Sequence, residues 1–208
     1  MKRTLLLTLL LLLFGCDAEV DTQVNMTDLL SSENKVIPGD LRVEISSCHE
    51  GNSKTPSDAL IEIQGKIPII FDDAEYAGCT RNDFDSYAHF NIPILLAKST
   101  EGKLLSDSHI NLISDPDTLL TLGIPEKIKN RIEHVGGEFG SLELGVNISI
   151  TNDTGKPFPF HVISAYVEDE PHVFSSLTAK EGATFSVRLS DVSIDNALEK
   201  GTSVVLFR

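Results

Sequence analysis

The run Leu142-Glu143-Leu144-Gly145-Val146-Asn147-Ile148-Ser149-Ile150-Thr151 alternates apolar and polar residues without a break. Successive side chains of a strand point to opposite faces, so this period of two puts Leu142, Leu144, Val146, Ile148 and Ile150 on one side. A helix would scatter the same residues around its circumference. The run therefore predicts a half-buried strand, and the chain on both sides follows the same pattern.

Downstream, Asn152-Asp153-Thr154-Gly155 is turn chemistry, and Phe158–Val167 predicts the return strand. Asp169-Glu170-Pro171 predicts another turn. Phe185, Val187 and Leu189 alternate after Lys180-Glu181-Gly182, a short helix spans Ile194–Lys200 before Gly201, and Val204–Phe207 closes as a strand. Upstream, Leu41, Val43 and Ile45 face away from Arg42 and Glu44. Ala59, Ile61 and Ile63 alternate with Leu60, Glu62 and Gln64, predicting a strand that runs on towards Phe71; Phe90, Ile92, Ile94 and Leu96 predict another. Pro68 and Pro93 recur in the fragments Lys66–Ile70 and Asn91–Leu95. Proline cannot donate to a ladder, so each should mark an edge, a bulge or a strand end.

A helical interlude separates the strand-rich halves. Asp115 caps and Pro116 opens a short helix ending at Gly123. Pro125 opens a second, with Ile124, Ile128, Ile132 and Val135 on one face and Gly136-Gly137 as its stop. Lys127, Lys129 and Arg131 form the opposite face, either solvated or docked on anionic lipid. His134 sits near the C-terminus of that helix, where positive charge suits the dipole. The fold class is mainly β (α+β): antiparallel sheets with two or three short helices. Three divisions follow: a leader at 1–15, a β-rich module at 16–139 and a second module at 140–208. The strand and turn rhythm of the last resembles immunoglobulin-like and fibronectin-like modules, which implies a two-sheet sandwich.

The N-terminus carries different information. Lys2 and Arg3 precede an apolar run from Leu5 to Phe14. That run is about half the ~20 residues needed to cross a bilayer, but it suits a signal-peptide core. Its end, Leu13-Phe14-Gly15-Cys16, resembles the lipobox of bacterial lipoproteins. The resemblance implies that residues 1–15 are removed, that Cys16 bears a diacylglyceryl group, and that the chain is anchored in the cell envelope. Phe14 is bulkier than the family's usual residue there. An ordinary leader cut after Ala18, or a short uncleaved anchor, are the alternatives. Asp17 directly after the acylated cysteine resembles the enterobacterial signal that retains a lipoprotein on the periplasmic face of the inner membrane. In anchor and architecture the chain is similar to uncharacterised lipoproteins of proteobacteria and their mobile elements.

Charge narrows the partners. The 31 Asp and Glu outnumber the 17 Lys and Arg, a balance of −14 that deepens once Lys2 and Arg3 are lost. Such a surface repels nucleic acid and anionic headgroups, so neither is an expected partner of the body. The body should stand off the membrane on a tether containing Asp17, Glu19 and Asp21. The expected partners are the membrane, through the lipid, and an envelope protein.

Little of the chain carries recognisable chemistry. With Cys16 acylated or removed, Cys48 and Cys79 remain as a pair in an oxidising compartment, which predicts a disulfide. Asp72, Asp73, Glu75, Asp83 and Asp85 gather in one acidic segment that is either a solvated loop or a calcium site; no EF-hand loop enforces the latter. Gly-x-Ser-x-Gly and His-Glu-x-x-His are both missing. His89 and His161 read as surface or edge residues. Phe158 and Phe160, stiffened by Pro157 and Pro159, are either strand-start core residues or an exposed protein contact. The expectation is a non-enzymatic binding module without cofactor. The alternatives are an envelope hydrolase using carboxylates or a metal, and a lipid carrier.

Only a thiol accepts the diacylglyceryl group, so Cys16→Ser should abolish palmitate labelling and leave a longer precursor. Unchanged labelling and migration would end the lipoprotein reading.

Overall fold

The computed structural model describes residues 16–208 apart from 32, 52, 83–84, 100–102 and 137–141. The leader expected at 1–15, Asp83 and Gly137 lie outside the described residues, as does the side chain of Cys16. The elements run β1 (Cys16–Asn25), α1 (Met26–Leu30), β2 (Lys35–Ile45), α2 (Asp58–Ile70), β3 (Glu75–Asn82), β4 (Asp85–Lys98), β5 (Ile110–Ser114) and β6 (Thr118–Gly123). There follow α3 (Glu126–Gly136), β7 (Leu142–Thr151), β8 (Phe158–Val167), β9 (Glu170–Ala179), β10 (Thr184–Leu189), α4 (Asp191–Lys200) and β11 (Thr202–Phe207). The protein is mainly β, as its alternating runs predict.

One sheet holds all these strands, in the order β10-β7-β1-β2-β4-β5-β6-β11-β8-β9, with β3 also paired to β4. A further pairing of β10 with β8 closes the path into a ring, leaving β9 and β3 outside it. The sheet is not purely antiparallel, because β1–β7 and β4–β5 run parallel. β1 and β7 pair from Cys16↔Leu142 to Asn25↔Thr151, so strands from either side of residue 140 share one sheet. Alternation specifies burial and is silent on partner and direction, which is why the parallel pairs were not foreseen.

The ring has an unusual consequence. Seven of its nine pairings are antiparallel, so strand direction has reversed after one circuit. A straight barrel wall does not permit that. β8 resolves it: β9 pairs along the whole of one edge, so β11 and β10 meet successive stretches of the other edge, and the circuit turns back at β8 instead of crossing it. The closure is made in β8, whose His161 and Val162 pair with β11 and whose Ala165–Val167 pair with β10. Ser164 lies between them at φ 47° and bends the strand. Its carbonyl accepts from Ser190 Oγ and Ser193 Oγ, both at 2.7 Å. Those bonds offset a left-handed conformation that costs roughly 1–3 kcal/mol.

The apolar faces of the ring enclose one core, with Val20, Leu41, Phe90, Ile148, Val162 and Leu206 almost wholly buried. A Cβ at Gly39 would lie 2.6 Å from Ile94 Cδ1, so a larger residue there would push the end of the Ile94 side chain aside. β7, β8, β10, α3, α4 and β11 occupy the expected places within a few residues. On α3, Ile128 and Ile132 are buried, and Gly201 ends α4 at φ 84°.

Three local expectations are corrected. Residues 58–70 form a helix, not a strand. Leu60, Ile67 and Ile70 are buried and half-buried Ile63 completes the helical spacing, while Ser57 caps by accepting the Leu60 N–H at 3.1 Å. Pro68 thus lies in a last helical turn and marks no strand. Residues 118–123 are a strand, not a helix. Asp115 Oδ1 accepts the N–H groups of Asp117 and Thr118 at 2.8 and 2.7 Å, an Asx turn that starts a hairpin. Finally, Asp17, Glu19 and Asp21 belong to β1 and form no tether.

Pro93 is inside β4, opposite Pro38 of β2. Facing prolines suit a non-hydrogen-bonded pair, which leaves both nitrogens pointing outward. On that outer side β3 pairs with β4 up to Asn91 and β5 starts at Ile94, so Pro93 falls between two partners. The proline marks a change of neighbour.

Cys48 and Cys79 are bonded, with Cα atoms 5.8 Å apart and a sequence separation of 31. In the chain-entropy model a loop of that length is worth roughly 3–4 kcal/mol. The Cys48→Ala/Cys79→Ala double variant should therefore unfold at lower urea, with a stability loss near that figure; an unchanged midpoint would show the staple to be energetically idle.

Candidate functional site

Because Leu41, Val43, Ala88 and Phe90 point into the core, Asp40, Arg42, Glu44, Tyr87, His89 and Asn91 must point out. Glu19 and Asp21 leave β1 on the same side, between buried Ala18, Val20 and Thr22. The outer face of β7, β1, β2 and β4, with β3 beside them, is thus a continuous polar surface set by alternation and register.

Arg42 organises its centre. Its Nη2 donates to Glu19 Oε2 and Asp21 Oδ2, both at 2.7 Å, and Asn147 Nδ2 donates to Asp21 Oδ1 at 2.9 Å. Towards the start of β1, burial raises the Glu44 carboxyl above its ordinary range, with Asp17 and Asp85 adding like-charge repulsion. Burial likewise raises the Tyr87 hydroxyl.

Arg42 and Gly78 flank His89 in register, on β2 and β3 respectively. Asp40 and Thr80 are its diagonal neighbours on those strands. His89 Nδ1 is 3.0 Å from Asp40 Oδ2 and 3.2 Å from Oδ1, while Nε2 is 2.8 Å from Thr80 Oγ1. A carboxylate only accepts, so neutral His89 carries its proton on Nδ1 and presents the Nε2 lone pair to the Thr80 hydroxyl. The side chain of His89 is 20% exposed and Thr80 is open to solvent. A β-bulge at Ala77 precedes Gly78 at φ 151°, and nothing lies within 4 Å of where a Cβ on Gly78 would be.

The surface reading of His89 therefore missed its two partners, which come from strands 49 and 9 residues away. No motif could have revealed them. His161 keeps to the surface, its Nδ1 2.9 Å from Ser176 Oγ and its ring 5.8 Å from that of Phe174. Phe160 is buried and stacks on Phe185 at 5.1 Å, which settles its two readings in favour of the core; Phe158 is half-buried against it.

The acidic segment and the basic helix face meet each other. Asp72 accepts from Lys127 Nζ at 2.8 Å and from Arg131 Nη1 at 2.7 Å. Asp72 is thus paired with two cations, and Lys127 and Arg131 share one acid. Asp17 is exposed on β1, in register with Glu143. Among the described residues no three of His, Cys, Asp and Glu converge as a metal site, and no helix is long and apolar enough to cross a membrane.

The hydrogen bonds from Lys127 and then Arg131 hold the Asp72 carboxyl below its ordinary value. A lowered folded pKa contributes stability above the unfolded value of about 3.9, lost as pH falls through the folded value. With the carboxylate a third exposed, screening keeps the effect small. Asp72→Asn should lower the melting temperature at pH 7, and the gap to wild type should close below about pH 4. A gap independent of pH would assign the loss to packing.

No curated protein and no solved structure matches this chain. A family model does, over residues 18–208, which takes in all the described strands and helices but the first two residues of β1, and the chain accordingly belongs to the family described as a domain of unknown function, DUF7424.

Proposed function

We propose that this is a lipid-anchored cell-envelope protein, held through Cys16 on the periplasmic face of the inner membrane, whose β body binds an envelope protein. One observation carries the binding reading. β9 is the last strand of the path and, among the described residues, pairs with β8 alone. Its outer backbone edge is free to take a further strand. Val173 and Phe174 in its middle are 87% and 64% exposed. Soluble proteins usually blunt such an edge with charge, but the segment 173–179 carries none. An extended peptide would gain main-chain hydrogen bonds along β9 and bury those two side chains.

The anchor reading rests on the residues up to Cys16 and on the position of that cysteine. β1 starts at Cys16, so a lipid there would hold the body close to the bilayer without a flexible spacer. Asp17 would supply the retention signal.

A photo-crosslinking residue at Val173, activated in intact cells, should trap a discrete protein adduct. Phe174→Glu should weaken the adduct several-fold, and the same probe at exposed Lys200 should give none. Equal, diffuse labelling from both positions would remove β9 as the binding edge.

A further inference from the structure

We infer that Thr80, His89 and Asp40 form an acyl-transfer site, with Thr80 as nucleophile, His89 as general base and Asp40 as the positioning residue. This goes beyond the binding reading and does not depend on it. Three features support it. The contacts run in one line, carboxylate to Nδ1 at 3.0 Å and Nε2 to hydroxyl at 2.8 Å, so the imidazole is held in the tautomer that takes a hydroxyl proton. The hydroxyl is solvent-accessible, and Gly78 leaves open space beside His89 through which a carbonyl can approach. Among the described residues β3 pairs with β4 alone, so a carbonyl can also come in along its other edge. A bulge beside the site is where such an edge is commonly re-aimed.

The substrate class is a small carboxylic ester, because the site is an open sheet surface and offers no deep acyl slot. Thr80 Oγ attacks the ester carbonyl while its proton passes to His89 Nε2. The tetrahedral adduct collapses with cleavage of the ester C–O bond, and the departing alkoxide takes the proton from His89. An acyl-Thr80 ester and a free alcohol result. Water then adds to that ester, giving its proton to Nε2; Thr80 leaves and is reprotonated, releasing a carboxylic acid. The net reaction is ester plus water to acid plus alcohol.

General base catalysis contributes about 10²–10⁴-fold, and the partly exposed Asp40 places this site at the lower end. The probe is p-nitrophenyl acetate, presented to the full mature protein. Wild type should release nitrophenolate about 10²-fold faster than His89→Ala, and intact mass should show one acetyl on Thr80. Thr80→Ala should lose both signals and Thr80→Ser keep them. Asp40→Asn should lower the rate, and Asp40→Glu should restore part of it. Melting curves on every variant separate unfolding from chemistry. If wild type, Thr80→Ala and His89→Ala hydrolyse the ester equally while all remain folded, or if Thr80 is never acetylated, the inference is overturned and the three residues are a surface staple across β2, β4 and β3.

Discussion

The parallel pairing of β1 with β7 is the constraint on which the other elements depend. A parallel pair cannot be closed by a tight turn, so the chain must complete β2 through α3 before β7 can lie beside β1. The Thr27 N–H donates to Asp153 Oδ1 at 2.8 Å just beyond the pair, across a separation of 126 residues. Loop-closure entropy grows only slowly with length, so two ten-residue strands with matched apolar faces can offset it. β1 also pairs with β2, which makes the first strand of the body the join between the two ends of the chain.

That join determines the polar surface as well. Once β1 lies between β7 and β2, Glu19 and Asp21 face Arg42, and Asn147 reaches Asp21. An acid-rich N-terminal segment that would otherwise be a solvated tether becomes part of an ion-pair network on a sheet. A lipid anchor at Cys16 would then be mechanically continuous with the body. A lipid on Cys16 would orient the ring, whereas a spacer would let it tumble.

The two functional proposals use different edges of the fold. The binding reading uses β9, a strand outside the ring with exposed apolar side chains. The acyl-transfer inference uses β3, the other strand outside the ring, where Thr80 meets His89. Both are consequences of a ring that accommodates nine of its eleven strands among the described residues. Edges excluded from closure stay open, and an open edge is where a polypeptide can be received or a carbonyl can come in.

Much of the local structure was legible from residue order. Alternation in Leu142–Thr151 and Leu41–Ile45 identified strands, the two cysteines identified the disulfide, and Pro125 with Gly136 bracketed α3. Those signals are local, because period and turn chemistry act over a few bonds. Residues 58–70 were misread since isoleucines there fit both a period of two and a period of 3.6, and only packing through Leu60, Ile67 and Ile70 selects the helix. Residues 118–123 were misread because Asp115 chemistry serves a cap and a hairpin alike. β9 escaped notice because its side chains lie mostly outside the core, which removes the pattern that marks a strand. Ring closure at Ser164, the neutralisation of Asp72 by Lys127 and Arg131, and the line from Asp40 through His89 to Thr80 all depend on which strands and helices become neighbours. Neighbours distant in sequence are selected by the summed packing of the whole core, and only the folded structure contains that sum.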